Sequence, residues 1–215
     1  LMTEMRGVLP DMTDDDLIGS AYSIRDYHVD ARFGGDAALI AFRKQLKRHG
    51  LQLILDFVPN HTALDHPWIR MHPDYYIQGS PSDLAAHPES YALCDEHVIA
   101  NGRDPNYPAW QDTAQVDAYS AGYRQASIDT LRSIAQLCDG VRCDMAMLMM
   151  NDIVSESWQR NDVPPTDYWS DVIAAVRQQF PDFIFMAEAY WHRESALVEQ
   201  GFDYCYDKTL YDLLV

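Results

Sequence analysis

Leu51-Gln52-Leu53-Ile54-Leu55-Asp56-Phe57-Val58-Pro59-Asn60-His61 runs from an apolar stretch straight into ionisable and amide side chains. The same transition recurs twice. Gly140-Val141-Arg142-Cys143-Asp144 is one case, and Phe183-Ile184-Phe185-Met186 leading into Ala187-Glu188-Ala189-Tyr190-Trp191 is the other. An ionisable residue that closes a buried strand is costly unless it is paired or put to use. In a parallel barrel the active groups gather at the C-terminal ends of the strands. Three such strand ends therefore predict a parallel α/β fold with a site at one end of its sheet.

The segments between them read as helices. Asp36 reads as an N-cap, Leu39, Phe42 and Leu46 recur at helical spacing, and Lys47, Arg48 and Gly50 close the pattern. A strand is predicted over 51–57. A second helix runs from about 122 to 138 with Ile128, Leu131, Ile134 and Leu137 inward, and a strand follows near 140–145. Thr166 is read as the cap of a third helix with Trp169, Val172, Ile173 and Val176 inward. Pro181 stops it, and a strand over 183–188 begins. Such alternation with short connections predicts a parallel sheet covered by helices. Residues 62–120 break the rhythm, being rich in Pro, His, Asp and Tyr with weak periodicity. A long irregular excursion of this kind is functional or a small subdomain. The expected division is 1–61, 62–120 and 121–215.

The bulk properties narrow the partners. The 215 residues suffice for one domain with a sizeable core. Sixteen Lys and Arg stand against 33 Asp and Glu, a net charge of −17. That balance argues against a nucleic-acid partner and against anionic lipid, and it is compatible with a neutral sugar. No run reaches the roughly 18 apolar residues of a membrane span. Residues 1–6 lead into no apolar signal region. The compartment is left open, leaning cytoplasmic. Cys94, Cys138, Cys143 and Cys205 form no CxxC pair. They are read as small buried apolar residues rather than a metal site or disulfide framework.

Arg142 and Asp144 share one face of a strand. A guanidinium beside a carboxylate lowers its pKa and keeps it ionised, which suits a nucleophile or charge stabiliser as well as a structural ion pair. Glu188 closes an apolar strand beside Tyr190 and Trp191. Such surroundings raise a carboxylic acid's pKa and suit a proton donor, unless the side chain simply faces solvent. Asn60 and His61 could hydrogen-bond a polyhydroxyl ligand, and Asp56 is expected to pair with a cation such as Arg142. Two carboxylates in different environments are what glycoside hydrolysis uses.

In this order the three segments resemble conserved regions I, II and III of the α-amylase family, glycoside hydrolase family 13. Region I reads Asp56-x-x-x-Asn60-His61, region II Gly140-x-Arg142-x-Asp144, and region III centres on Glu188. The stretch Ala21-Tyr22-Ser23-Ile24-Arg25-Asp26-Tyr27, then Val29-Asp30 and Phe33-Gly34-Gly35, is similar to the family's loop before the helix leading to region I. The resemblance implies part of a TIM (β/α)8 barrel with a subdomain inserted after the region I strand. It implies retaining hydrolysis of α-glucosidic bonds, with Asp144 as nucleophile and Glu188 as acid then base. Arg142 would orient Asp144, His61 would contact the sugar, and Tyr22 would stack on it. An α-glucoside or α-glucan is the implied substrate, in carbohydrate metabolism. A transglycosylase or phosphorylase of the same family is the alternative, and a non-catalytic barrel relative used as a binding module is another.

The chain also departs from the family pattern. Many members carry a Lys-His pair shortly after the nucleophile, where this chain reads Met145-Ala146-Met147-Leu148. The missing His argues against the structural calcium of many amylases, and no other cofactor is expected. Phe202-Asp203-Tyr204-Cys205-Tyr206-Asp207 resembles the family's sixth-strand area. The first two and last two strands of the barrel have no counterpart, nor has region IV with its third catalytic Asp. The isolated 215-residue stretch is accordingly expected to be inactive.

Overall fold

A computed structural model describes Gly7, residues 9–13 and residues 20–215, so the segment 1–6 lies outside the described residues. Helix α1 (Gly35–Arg48) leads to strand β1 (Ile54–Phe57). The excursion then comprises β2 (His61–Ala63), α2 (Pro67–Met71), α3 (Pro81–Ala86), β3 (Tyr91–Cys94), β4 (His97–Ala100) and β5 (Thr113–Gln115). Helix α4 (Ala121–Ala135) returns to β6 (Gly140–Cys143), and α5 (Asn151–Trp158) and α6 (Tyr168–Arg177) precede β7 (Ile184–Ala187). The series ends with α7 (Glu194–Glu199), β8 (Tyr204–Cys205) and α8 (Lys208–Leu214).

Strands β1, β6, β7 and β8 form one parallel sheet in that order, each joined to its neighbour by helical crossovers. The register pairs Phe57 with Cys143 and Cys143 with Ala187. Val141, Cys143, Phe185 and Ala187 are fully buried, in one core with Leu131 and Ile134 of α4 and Val172 and Val176 of α6. Alternation along a strand sends Arg142 and Asp144 to the opposite face, which is the face of the site. Among the described residues no helix is long and apolar enough to cross a membrane.

Local chemistry moved several boundaries. Strand β1 starts at Ile54 because Leu53 donates its N–H to the Asp139 carboxylate, at 2.8 Å, rather than to a neighbouring strand. Arg43 grips the other Asp139 oxygen at 2.7 and 3.0 Å. Gly34, with φ 92°, occupies the N-cap of α1 instead of Asp36. Asp36 sits in the first turn and accepts from the Val29 N–H. Phe42 is half exposed, so only Leu39 and Leu46 of that helix reach the core. Helix α4 stops at Ala135, and Leu137 follows outside it. Asp167, not Thr166, is the N-cap residue of α6. The Thr166 hydroxyl donates to Asp171, whose carboxylate also pairs with Arg124 at 2.7 Å. Cys94, Cys138 and Cys143 are buried as free thiols, while Cys205 is only half-buried.

The excursion holds more regular structure than its sequence suggests. Strands β2 and β5 pair antiparallel, as do β3 and β4. Each has three or four residues, too few for alternation to stand out. Short helices start at Pro67 and Pro81, and Ser80 and Asp83 form a capping box.

Gly140 marks the tightest approach in the parallel sheet. A Cβ there would lie 2.5 Å from the Ile184 carbonyl oxygen and 2.6 Å from the Ile184 Cβ. The obstruction is backbone, so Gly140→Ala must separate β6 from β7. It is expected to cost about 1–3 kcal/mol, read as a lower urea midpoint; an unchanged midpoint would contradict the close approach.

Candidate active site

The sheet's hydrogen bonding continues one residue past its strands. Asp144 donates its N–H to Phe57 O at 2.8 Å, and Glu188 donates its N–H to Cys143 O at 3.0 Å. These bonds hold the two carboxylate residues level on adjacent strand ends. After Asp144 the chain turns sharply through Met145, which is left-handed at φ 43° and ψ 47°. A non-glycine residue rarely takes that conformation, and it persists only when its surroundings enforce it. Here the Met145 N–H donates to Glu188 Oε2 at 2.7 Å and the Ala146 N–H donates to Glu188 O at 3.0 Å. The Trp169 indole N–H donates to Ala146 O at 2.7 Å and closes the turn from below.

Arg142 is the hub. Its Nη1 donates to Asp144 Oδ1 at 2.9 Å and to Asp56 Oδ1 at 3.0 Å. Its Nη2 lies 2.8 Å from Glu188 Oε2. Its Nε donates to the Tyr206 hydroxyl at 3.1 Å. The rings of Tyr22 and Tyr206 each lie 5.6 Å from the guanidinium carbon, within cation–π range. The expected pairing of Asp56 with Arg142 is therefore present.

Three carboxylates share one cation, and two of them are buried. Burial, then the negative charge of Glu188, pushes the Asp144 carboxyl from 3.8 up to about 6 against the pull of Arg142. The sequence reading, in which Arg142 holds that pKa down, is corrected here. Desolvation and a like charge outweigh the ion pair. Against the opposing pull of burial, the Tyr206 hydrogen bond and then the charges of Glu188 and Asp144 drive Arg142 further toward its charged form. Glu188 is also buried, and its Oε1 accepts from the Tyr190 hydroxyl at 2.7 Å.

His61 lies in β2, outside the parallel sheet, and its ring is tilted against Trp110 with centroids 5.1 Å apart. Burial pushes its pKa down to about 4, so it is neutral at ordinary pH. Asn60 is 1 % exposed, and its amide is engaged with Gln115. Its side chain buttresses the wall from behind. Tyr22, His61, Trp110, Asp144, Met145 and Glu188 line one cavity of about 310 Å³. A second, of about 470 Å³, opens past Met145 and is lined by Tyr107, Tyr190, Trp191 and Lys208. Met145 belongs to both walls.

Sequence reading missed Tyr206, Trp110 and the backbone of Met145. Tyr206 offered only its place two residues beyond Tyr204 on the same strand face. Trp110 sits in a stretch without periodicity, and nothing in a methionine announces a left-handed turn. Met147 and Leu148, where many relatives carry Lys and His, are buried and cannot reach a ligand. Among the described residues no group of three or more His, Cys, Asp or Glu is placed to hold a metal ion.

Fold and site together define a partial parallel α/β barrel of the glycosidase type, with paired carboxylates at its strand ends. The family model described as alpha amylase, catalytic domain, matches residues 10–201, and the chain belongs to that family. It is 29% identical over 175 residues to alpha-1,4-glucan:maltose-1-phosphate maltosyltransferase 2 of Streptomyces coelicolor, covering 77% of this chain and 21% of that protein. It is 36% identical over 84 residues to the trehalose synthase/amylase TreS of Mycobacterium tuberculosis, covering 35% and 14%. The crystal structure of an alpha-amylase from Lactobacillus plantarum superposes with a TM-score of 0.59 at 25% identity, covering 91% of this chain and 39% of that one. The chain thus spans about a fifth of the length of the first curated relative.

The raised Asp144 carboxyl carries a linkage consequence. Its folded pKa of about 6 stands above the 3.8 of an ordinary carboxyl. The protonated form therefore favours the fold below pH 3.8, and that contribution is lost as pH rises through about 6. The difference corresponds to about 3 kcal/mol at most. Asp144→Asn should raise the melting temperature at pH 7.5, with the gain shrinking toward pH 4. A variant no more stable than the parent at pH 7.5 would contradict the raised pKa.

Proposed function

We propose that the protein is a retaining α-glycoside hydrolase acting on α-glucosidic bonds. The observation that carries the reading is the Arg142 guanidinium, which holds Asp144 on one nitrogen and Glu188 on the other at the mouth of a cavity. Two nitrogens of one planar fork keep the carboxyls close, in keeping with the roughly 5–5.5 Å of a retaining pair. Asp144 attacks the anomeric carbon and forms a glycosyl-enzyme. Glu188 protonates the departing oxygen, then takes a proton from the water that releases the sugar. Arg142 stabilises the charge that Asp144 carries before attack and regains on release.

Neutral His61 and the Tyr22 ring would receive the sugar bound at the 310 Å³ cavity. Asn60 would hold His61 in place and Asp56 would share Arg142. Residues 62–120 would serve as a small subdomain, between barrel segments 1–61 and 121–215, that sets Trp110 against His61. The substrate would be an α-glucoside or α-glucan.

A transglycosylase is the second reading. The names of two relatives, a maltosyltransferase and a trehalose synthase/amylase, favour it. So does the 470 Å³ cavity beyond Glu188, which has room for a sugar acceptor in place of water.

The test is turnover of maltose, sucrose, trehalose and maltooligosaccharides by the protein at full natural length. Asp144→Asn should abolish it by at least about a thousandfold, on the order of 4 kcal/mol. Free glucose as the product supports hydrolysis, and new disaccharides support transfer. Because the nucleophile must be ionised, kcat/KM should fall as pH drops below about 6. No turnover of any α-glucoside by the folded protein would favour a binding module instead.

A further inference from the structure

Glu188 has two chemically different oxygens. Oε2 lies 2.7 Å from the Met145 N–H and 2.8 Å from Arg142 Nη2. Both are donors that cannot accept, so a proton placed on Oε2 would face two others. The Met145 donor cannot swing away, because its left-handed turn is pinned by the Ala146 bond to Glu188 O and by Trp169. Oε1 receives the Tyr190 hydroxyl at 2.7 Å. A hydroxyl can donate or accept, and it tolerates either protonation state of its partner.

We propose that the Tyr190 hydroxyl is the positioning group of the acid step: it singles out Oε1 of Glu188 as the oxygen that carries and delivers the proton. The inference rests on the reading of Glu188 as general acid and base. Tyr190 lines the 470 Å³ cavity and Glu188 the 310 Å³ cavity, so their hydrogen bond lies on the boundary where a glycosidic oxygen would sit. Burial and the Glu188 hydrogen bond push the Tyr190 phenol up, so it remains a neutral O–H. In the first step the Oε1–H bond breaks and its proton passes to the glycosidic oxygen. The electron pair of the C1–O bond goes to the same oxygen as Asp144 bonds to C1. Tyr190 then donates to the newly charged Oε1. In the second step a water proton returns to Oε1 while the water oxygen bonds to C1 and Asp144 departs with its electron pair.

The experiment compares Tyr190→Phe with the parent on two substrates. A maltooligosaccharide leaves as a poor alkoxide and needs the proton; α-glucosyl fluoride leaves without it. Loss of the hydroxyl should lower kcat/KM on the maltooligosaccharide by on the order of 10–100-fold, part of the acid–base contribution. That loss should exceed the one on the fluoride at least tenfold. Tyr190→Phe added to Glu188→Ala should cost nothing further on the maltooligosaccharide, because a residue acting through Glu188 has no route left. Equal losses on both substrates, no loss on either, or an additional loss in the Glu188→Ala background would each overturn the proposal. A parent that turns over neither substrate would overturn the glycosidase reading itself, and this role with it. Melting curves of both variants show whether a loss is unfolding, in which case Tyr190 is structural and the proposal fails.

Discussion

One guanidinium holds the site together. Arg142 faces two buried carboxylates and one exposed one, and removing such a cation would leave charges in low dielectric without a partner. The rest of the architecture serves this contact. The parallel register sets Arg142 level with Asp56 on one side and Met186 on the other, and Glu188, two residues past Met186, meets the guanidinium from that second side. The helices bury the opposite face of the same strands, with Leu131 and Ile134 of α4 and Val172 and Val176 of α6 in one core with Val141 and Phe185. Tyr206 from β8's end fixes the Nε side of the fork. The cost of the arrangement is visible in Asp144, whose carboxyl stands near 6 despite an ion pair at 2.9 Å.

The parallel ladder was legible because it is written in long apolar runs closed by charge. Regions around Asp56, Arg142 and Glu188 could be placed on strand ends from alternation alone, and the Asp56–Arg142 pairing followed from their types. The excursion was not legible, because strands of three and four residues carry no measurable period. Nor was the bond between Asn60 and Gln115: an amide that reads as a sugar ligand is consumed by a neighbour 55 residues away. Helix caps failed for a related reason. Asp36 and Thr166 have capping side chains, but each bonds a nearby residue instead, Asp36 the Val29 N–H and Thr166 the Asp171 carboxylate. The direction of the Asp144 pKa was misjudged because sequence spacing reveals one neighbour, Arg142, and conceals both burial and Glu188.

The left-handed turn at Met145 is where backbone and chemistry meet. Two successive amides after Asp144 are spent on Glu188, one on its side chain and one on its carbonyl. The turn thereby orients one catalytic candidate by means of the other, and Trp169 anchors both from the helical layer. Buried Ala146, Met147, Leu148 and Met149 continue the turn as pure packing. Beside Met145, the residues lining the second cavity come from the excursion at Asp104 and Tyr107, from Tyr190 to Glu194 after β7, and from α8.

The His61–Trp110 wall hangs on β2 and β5, a pair hydrogen-bonded to each other and separate from the ladder that carries Asp144 and Glu188. Gly102 lets that wall close, since a Cβ there would meet Thr113 Oγ1 at 2.5 Å and His61 Cβ at 3.0 Å. The carboxylate cluster and the cavity wall at His61 and Trp110 are thus built on separate sheets. Drift in the excursion can remodel the contour of that cavity wall while the carboxylate geometry stays fixed by the ladder. A lineage carrying this scaffold can reshape that cavity by loop change alone, without disturbing the Arg142 cluster on the ladder.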